Sequence, residues 1–186
     1  MKKALFLLAF LAAAPPQAQA WSFWAHRRIN HLAVYGLPPE MLGFFKRHQA
    51  WLADQAVAAD RRRYLVPGEA ARHYMDLEAY ARADTLPLVR LPLFFEAAVR
   101  RYGDTPFHHG SLVWALQNQL AQLTAAFQSR DGARILALAA DVGHYAADAC
   151  VPLHTTENYN GQLTGQHGLH SLYERWLPER FGAGYG

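Results

Sequence analysis

The chain has 186 residues, with 18 Lys and Arg against 15 Asp and Glu, 10 His, one Cys and 52% hydrophobic residues. That length suits one domain, and that apolar fraction excludes a disordered chain. A single Cys excludes an intramolecular disulfide framework and any Cys₄ or Cys₂His₂ zinc finger, while the formal charge of +3 hints at an anionic partner.

In chain order, residues 1–20 read first as a signal peptide. Lys2 and Lys3 are a basic start, Ala4 to Ala14 is an apolar run of 11 residues, and Ala18-Gln19-Ala20 is a small-x-small cleavage signal. Eleven apolar residues are too few to span a bilayer as a helix. The expectation is therefore an exported chain, periplasmic or secreted, whose mature form starts at Trp21 and has no transmembrane span. Without Lys2 and Lys3, 16 basic side chains face 15 acidic ones, and the charge argument for nucleic acid mostly disappears.

The remainder reads as all-α, a single multi-helix domain over residues 21–186, because apolar residues recur at helical spacing and no long alternating run suggests a sheet. Ala25 to Tyr35 is a short amphipathic helix closed by Gly36 and Pro38. Pro39 to Ala59 is a longer one, with Met41, Leu42, Phe45, Leu52 and Val57 as its apolar set. Pro67 to Tyr80 and Leu86 to Tyr102 follow, the second with Pro92 able to kink or restart it. His108 to Ser129 and Asp131 to Ala149 are the clearest long helices. Tyr159 to Gly165, rich in Gly, Asn and Thr, is a loop, and Gln166 to Trp176 is a last helix closed by Pro178.

The histidines carry the chemical signal. His144 and Asp148 are four apart and share a helix face, and Pro152 can turn the chain so that His154 returns toward them. Imidazole and carboxylate together suit zinc. A salt bridge or a satisfied core histidine is the plain alternative for one such pair, but a second pair, His170 and Glu174, has the same spacing. Asp60 and His73 can meet across a hairpin, with Asp76 able to face the same side; for Asp60 before Arg61-Arg62-Arg63, a solvated ion pair is the default. His26 lies five residues past Trp21, a spacing that matters only if cleavage frees an α-amino group there to chelate a metal beside its own carbonyl. Cys150 is expected to be a buried structural thiol.

These residues together resemble the zinc-dependent phospholipase C and S1/P1 nuclease superfamily of secreted helical phosphoesterases. The resemblance runs through Trp21-Ser-Phe-Trp-Ala-His26, Asp60, His73-Tyr-Met-Asp76, His144-Tyr-Ala-Ala-Asp148 with His154, and His170-Ser-Leu-Tyr-Glu174. It implies three zinc ions. Asp60, His73, His144 and Asp148 hold one, and His154, His170, Glu174 and water hold a second. The Trp21 amino and carbonyl groups, His26 and the other oxygen of Asp148 hold the third, which makes Asp148 the bridge and part of the catalytic centre. Asp76 is expected to orient a ligating histidine or act as a base. The implied activity is hydrolysis of a phosphodiester by metal-activated water.

The gap from His154 to His170 and the final Glu174 look more like the phospholipase branch, so a phospholipid head group is the expected substrate and peripheral membrane contact is expected with it. Single-stranded nucleic acid is the alternative, and a non-catalytic, zinc-stabilised exported binding protein is a third reading. Trp24 stands where the choline-lipid enzymes resemble one another in carrying Glu, and Ala147, Ala149 and Cys150 depart from the branch's signature. Asn158 and Asn160 are substrate-contact candidates or ordinary loop residues. Trp24, Phe44, Phe45 and Trp51 could face a membrane or a base. Family members continue well beyond the last ligand, whereas twelve residues follow Glu174 here, so the resemblance implies either a missing C-terminal part or a substrate cleft without some of its usual wall.

Overall fold

The computed structural model describes residues 22–81 and 90–184. The expected signal peptide, Trp21 and the start of the helix expected from Leu86 lie outside the described residues. The fold is all-α, with no strand among the described residues. No helix among them is long and apolar enough to cross a membrane.

Helix α1 (Phe23–Ala33) starts at Ser22, whose hydroxyl accepts from the Ala25 amide at 3.4 Å. Its inner face carries Ala25, His26 and Asn30. The stretch expected as one helix from Pro39 to Ala59 is three: α2 (Pro39–Arg47), α3 (Gln49–Gln55) and α4 (Ala58–Arg62). Backbone at His48 (φ −108°, ψ 11°) and Val57 (φ −103°, ψ 9°) leaves the helical region and breaks the ladder twice. Asp60 therefore lies inside α4 rather than after a helix. Residues 67–80 are likewise not one helix. A 3₁₀ turn covers Ala70–His73, residues 74–76 are not helical, and α5 is only Leu77–Tyr80. The amides there serve other segments: Met75 donates to His154 O at 2.8 Å, Asp76 to His109 O at 2.8 Å and Leu77 to Thr155 O at 3.1 Å. An amide committed across the fold cannot also close a helical turn.

Helix α6 (Phe95–Tyr102) begins after Pro92, and α7 (Thr105–His108) is a single turn. Of the two long helices, α9 (Gly132–Ala149) follows the expected bounds, with Asp131 capping it by accepting from the Arg134 amide at 3.0 Å, whereas α8 (Leu112–Gln128) begins after His108, which ends α7 instead. After a 3₁₀ turn at Pro152–His154 and a run of loop turns, the chain re-enters helix at α10 (Leu169–Ser171). It continues through a π-helical turn, Leu172–Trp176, into α11 (Leu177–Phe181). Pro178 does not close this helix: the carbonyl that its missing amide would serve, Glu174 O, accepts from the Ser22 amide at 3.1 Å instead.

Helix α9 organises the interior. Ile135, Leu136, Leu138 and Ala140 join Val34, Phe45, Leu52 and Ala126 in one apolar cluster. Tyr145, near its other end, belongs to a second cluster with Ala59, Met75, Tyr80, Ala98, Leu112 and Trp114. At roughly 1.5–3 kcal/mol for each large apolar side chain removed from water, these clusters fix the last turns of α9 in place. Phe45 is core, Phe44 packs on the same cluster, and Trp24 lies against Gly182. Trp51 alone of the four aromatics considered for a membrane or base is substantially exposed.

Candidate metal centre

Six segments carry the expected ligands into one buried volume. His26 comes from α1, Asp60 from α4, His73 from the 3₁₀ turn that follows, and His144 and Asp148 from one face of α9. His154 comes from the turn after Pro152, and His170 and Glu174 from the last helical run. All eight are buried, Asp148 and Glu174 completely. Their donor atoms form three groups: His26, His144 and Asp148; Asp60, His73 and His144; and His154, His170 and Glu174, each within 4.8 Å.

Asp148 belongs to the first of these groups and reaches a histidine of each of the other two. Its Oδ2 lies 3.0 Å from His73 Nδ1 and 3.3 Å from His144 Nε2. Its Oδ1 lies 3.4 Å from His26 Nε2 and 3.7 Å from His154 Nδ1. The two oxygens of one carboxylate thus face different imidazoles, an arrangement an imidazole cannot provide for itself. Asp60 approaches the same histidines at 3.9–4.0 Å. Glu174 meets His154 at 3.3 Å and His170 at 2.9 Å.

Backbone carbonyls aim the rings. His144 Nδ1 donates to Ala56 O at 2.7 Å, a carbonyl left outside the helical ladder by the break between α3 and α4. His154 Nδ1 donates to His73 O at 2.6 Å, and His170 Nδ1 to Tyr159 O at 3.3 Å. In each case Nε2 is left to face the carboxylates, the tautomer that metal-ligating histidines adopt. Asp76 does not perform this orientation. Its carboxylate lies 3.4 Å from His109 Nδ1, and the carbonyls do the work expected of it.

The donors fit a metal better than they fit one another. Of thirteen buried side-chain N and O atoms lacking a hydrogen-bond partner among the described residues, nine belong to His26, Asp60, His73, Asp148, His170 and Glu174. Folded proteins satisfy nearly all such atoms, so nine orphans in one place point to a shared missing partner. His170 Nε2 and Glu174 Oε2 are 2.9 Å apart yet not aligned to bond, as donors aimed at a common point would be. Three buried carboxylates, with Arg63 Nη1 at 3.7 Å from Asp60, also call for more positive charge. Imidazole and carboxylate, without thiolate, suit a borderline divalent ion.

The electrostatics agree. Burial pushes His26 and His73 below the ordinary histidine value, against the pull of Asp148, so both favour the neutral form a metal needs. Burial also lowers His144 and His154, but Asp148 beside His144, and Glu174 with Asp148 beside His154, outweigh it and hold both above that value. Burial acts upward on Asp148 and Glu174; their histidines overcome it, leaving Asp148 well below the usual carboxylate range and Glu174 below it.

A cavity of about 600 Å³ opens onto this centre, lined by His73, His154 and His170 and by Arg63, Tyr64, Tyr74, Asp76, His109, Glu157 and Tyr159. The sequence reading overlooked most of these wall residues. Glu157 stands directly before the singled-out Asn158, but both asparagines hold the loop itself: Asn158 Oδ1 accepts from the Leu163 amide and Asn160 Oδ1 from the Gly168 amide. Cys150 is exposed rather than buried, since it caps the end of α9 with its amide and its side chain lies outside the core. No family model, curated protein or solved structure matches the chain.

Proposed function

We propose that this protein is an exported, zinc-dependent phosphodiester hydrolase of the phospholipase C and S1/P1 nuclease kind. The observation that carries the reading is the bridging posture of Asp148, fully buried with each oxygen toward a different histidine group. Asp60, His73, His144 and Asp148 would hold one ion, and His154, His170 and Glu174 a second. His26 and Asp148 would hold a third together with the amino and carbonyl groups of Trp21. Ser22, the residue after Trp21, is buried, and its amide donates to Glu174 O at 3.1 Å, which supports a chain start beside the centre.

When bound, divalent ions in such a set supply Lewis acidity toward a phosphoryl group and an activated water. The chain's own residues do the rest. The Ala56, His73 and Tyr159 carbonyls keep the rings oriented, and the buried carboxylates keep the centre anionic until it is loaded. Arg63, on the cavity wall with its Nη1 3.7 Å from Asp60, would add positive charge beside a bound phosphoryl group.

A phospholipid head group is the first substrate class. Tyr64, on the cavity wall, runs into Leu65 and Val66, all three exposed and Leu65 80% so, an apolar rim suited to a lipid surface. One observation favours single-stranded nucleic acid instead: Tyr64, Tyr74 and Tyr159 on the same wall offer rings on which bases stack. Assays of zinc-loaded protein on a short-chain phospholipid, single-stranded DNA and single-stranded RNA separate the two. Lipid turnover supports the first class, and nucleic-acid turnover alone replaces it with the second. Retained zinc without turnover of any of them would make the protein a zinc-stabilised binding protein.

A further inference from the structure

We infer that Asp76, His109 and Glu157 form an accessory divalent-cation site on the cavity wall, separate from the buried centre. His109 Nδ1 lies 3.4 Å from Asp76 Oδ2 and 3.3 Å from Glu157 Oε1, and one atom from each residue lies within 4.8 Å of the others. A ring nitrogen carries at most one proton, so it cannot serve two carboxylates well. Both distances exceed the roughly 2.7–2.9 Å of a charge-assisted hydrogen bond. They are near the spacing of about 3.0–3.4 Å between neighbouring donors that share an ion at about 2.1 Å in octahedral or tetrahedral geometry.

The three residues are held in register by backbone. Asp76 N donates to His109 O at 2.8 Å, Leu77 N to Thr155 O at 3.1 Å, and Glu157 N to a Glu78 carboxylate oxygen at 3.3 Å. Glu78, which also accepts from the Thr156 hydroxyl, places a third carboxylate nearby. Among the described residues, no Lys or Arg lies within ion-pair distance of Asp76, Glu78 or Glu157. The cluster thus concentrates negative charge without a protein cation to balance it.

The donor set differs from the buried centre in kind. Two oxygens and one nitrogen form a harder set, and the His109 and Glu157 side chains are 41% and 46% exposed. Open positions toward the cavity make the bound ion exchangeable and leave room for water or a substrate oxygen. Manganese is the probe of choice, because it favours such donors and reports its own binding. The inference stands apart from the hydrolytic reading, since its test reads no turnover.

Zinc-loaded protein, freed of excess metal, is titrated with Mn²⁺ while free Mn²⁺ is followed by electron paramagnetic resonance. Wild type should bind one Mn²⁺ per chain beyond its zinc. His109→Ala and Glu157→Gln should each abolish that binding and leave the zinc content unchanged; if His109→Ala fails to fold, Glu157→Gln decides. The inference is overturned if wild type takes up no Mn²⁺, if Glu157→Gln binds it as wild type does, or if loss of Mn²⁺ comes only with loss of zinc.

Discussion

Asp148 is the residue on which the centre turns, because its two oxygens come within 3.0–3.4 Å of His26, His73 and His144, whereas Asp60 reaches the same rings only at 3.9–4.0 Å. Asp148→Asn keeps the shape but removes the charge and one good donor. Metal content should fall by at least one ion per chain, and hydrolysis by about 100-fold or more, the upper end of what even indirect ligand supports cost. Elemental analysis and an activity assay on the same sample check both. The pH dependence follows from the shifts. His26 and His73 are held below 6.5, so their contribution to stability is full above 6.5 and is lost as pH falls through their folded values. Asp148 acts in the same sense, full above 3.8 and lost as pH falls through its depressed value. His144 and His154, held above 6.5, work the other way: their contribution is full below 6.5 and is lost as pH rises through their folded values. Protons on His144 and His154 compete with metal, so zinc affinity should rise from about pH 6 to about pH 8. A chelator competition that finds the affinity flat over that range contradicts this. The ligands were legible in sequence because His144 with Asp148, and His170 with Glu174, carry their geometry in a spacing of four. His109 was not, since only the fold brings it to Asp76, 33 residues away.

At the scale of elements, α9 supplies two ligands and touches both apolar clusters, so its seat against α1 decides how well the centre is aimed. Gly143 is the contact that permits this seat. A Cβ there would come within 2.0 Å of Asn30 Oδ1, and Asn30 is tethered through its amide to Ala140 O at 3.0 Å. Gly143→Ala should destabilise the fold by about 1–3 kcal/mol, as overpacking does, read from the denaturation midpoint. Gly110 makes a different demand, since its φ of +87° and a Cβ position 2.1 Å from Tyr74 O exclude a side chain. Helices α8 and α9 were legible because their apolar periodicity is long and capped. The breaks in 39–62 were not, because both halves keep helical spacing and the interruption answers a tertiary need: the free Ala56 carbonyl that orients His144. Residues 74–76 stayed hidden for the same reason, their amides being claimed by segments far along the chain.

For the molecule as a whole, metal and fold are expected to be one equilibrium. The ligands come from both ends of the described chain, so ions bound among them tie α1 to α9 and the turn after α9 to the last helices. A single site filled at 1,000 times its dissociation constant adds about 4 kcal/mol, and a chain of this size shifts by about 2–4 °C per kcal/mol. Prolonged chelation should therefore lower the melting temperature by on the order of 10 °C, with recovery on adding zinc; an unchanged melting curve contradicts the coupling. The most direct measurement is the metal content of the protein cleaved before Trp21, determined by elemental analysis after removal of loose ions, beside a form that keeps extra residues ahead of Trp21. The account predicts three zinc ions per chain in the first and one fewer in the second. Fewer than two in the cleaved protein would contradict it.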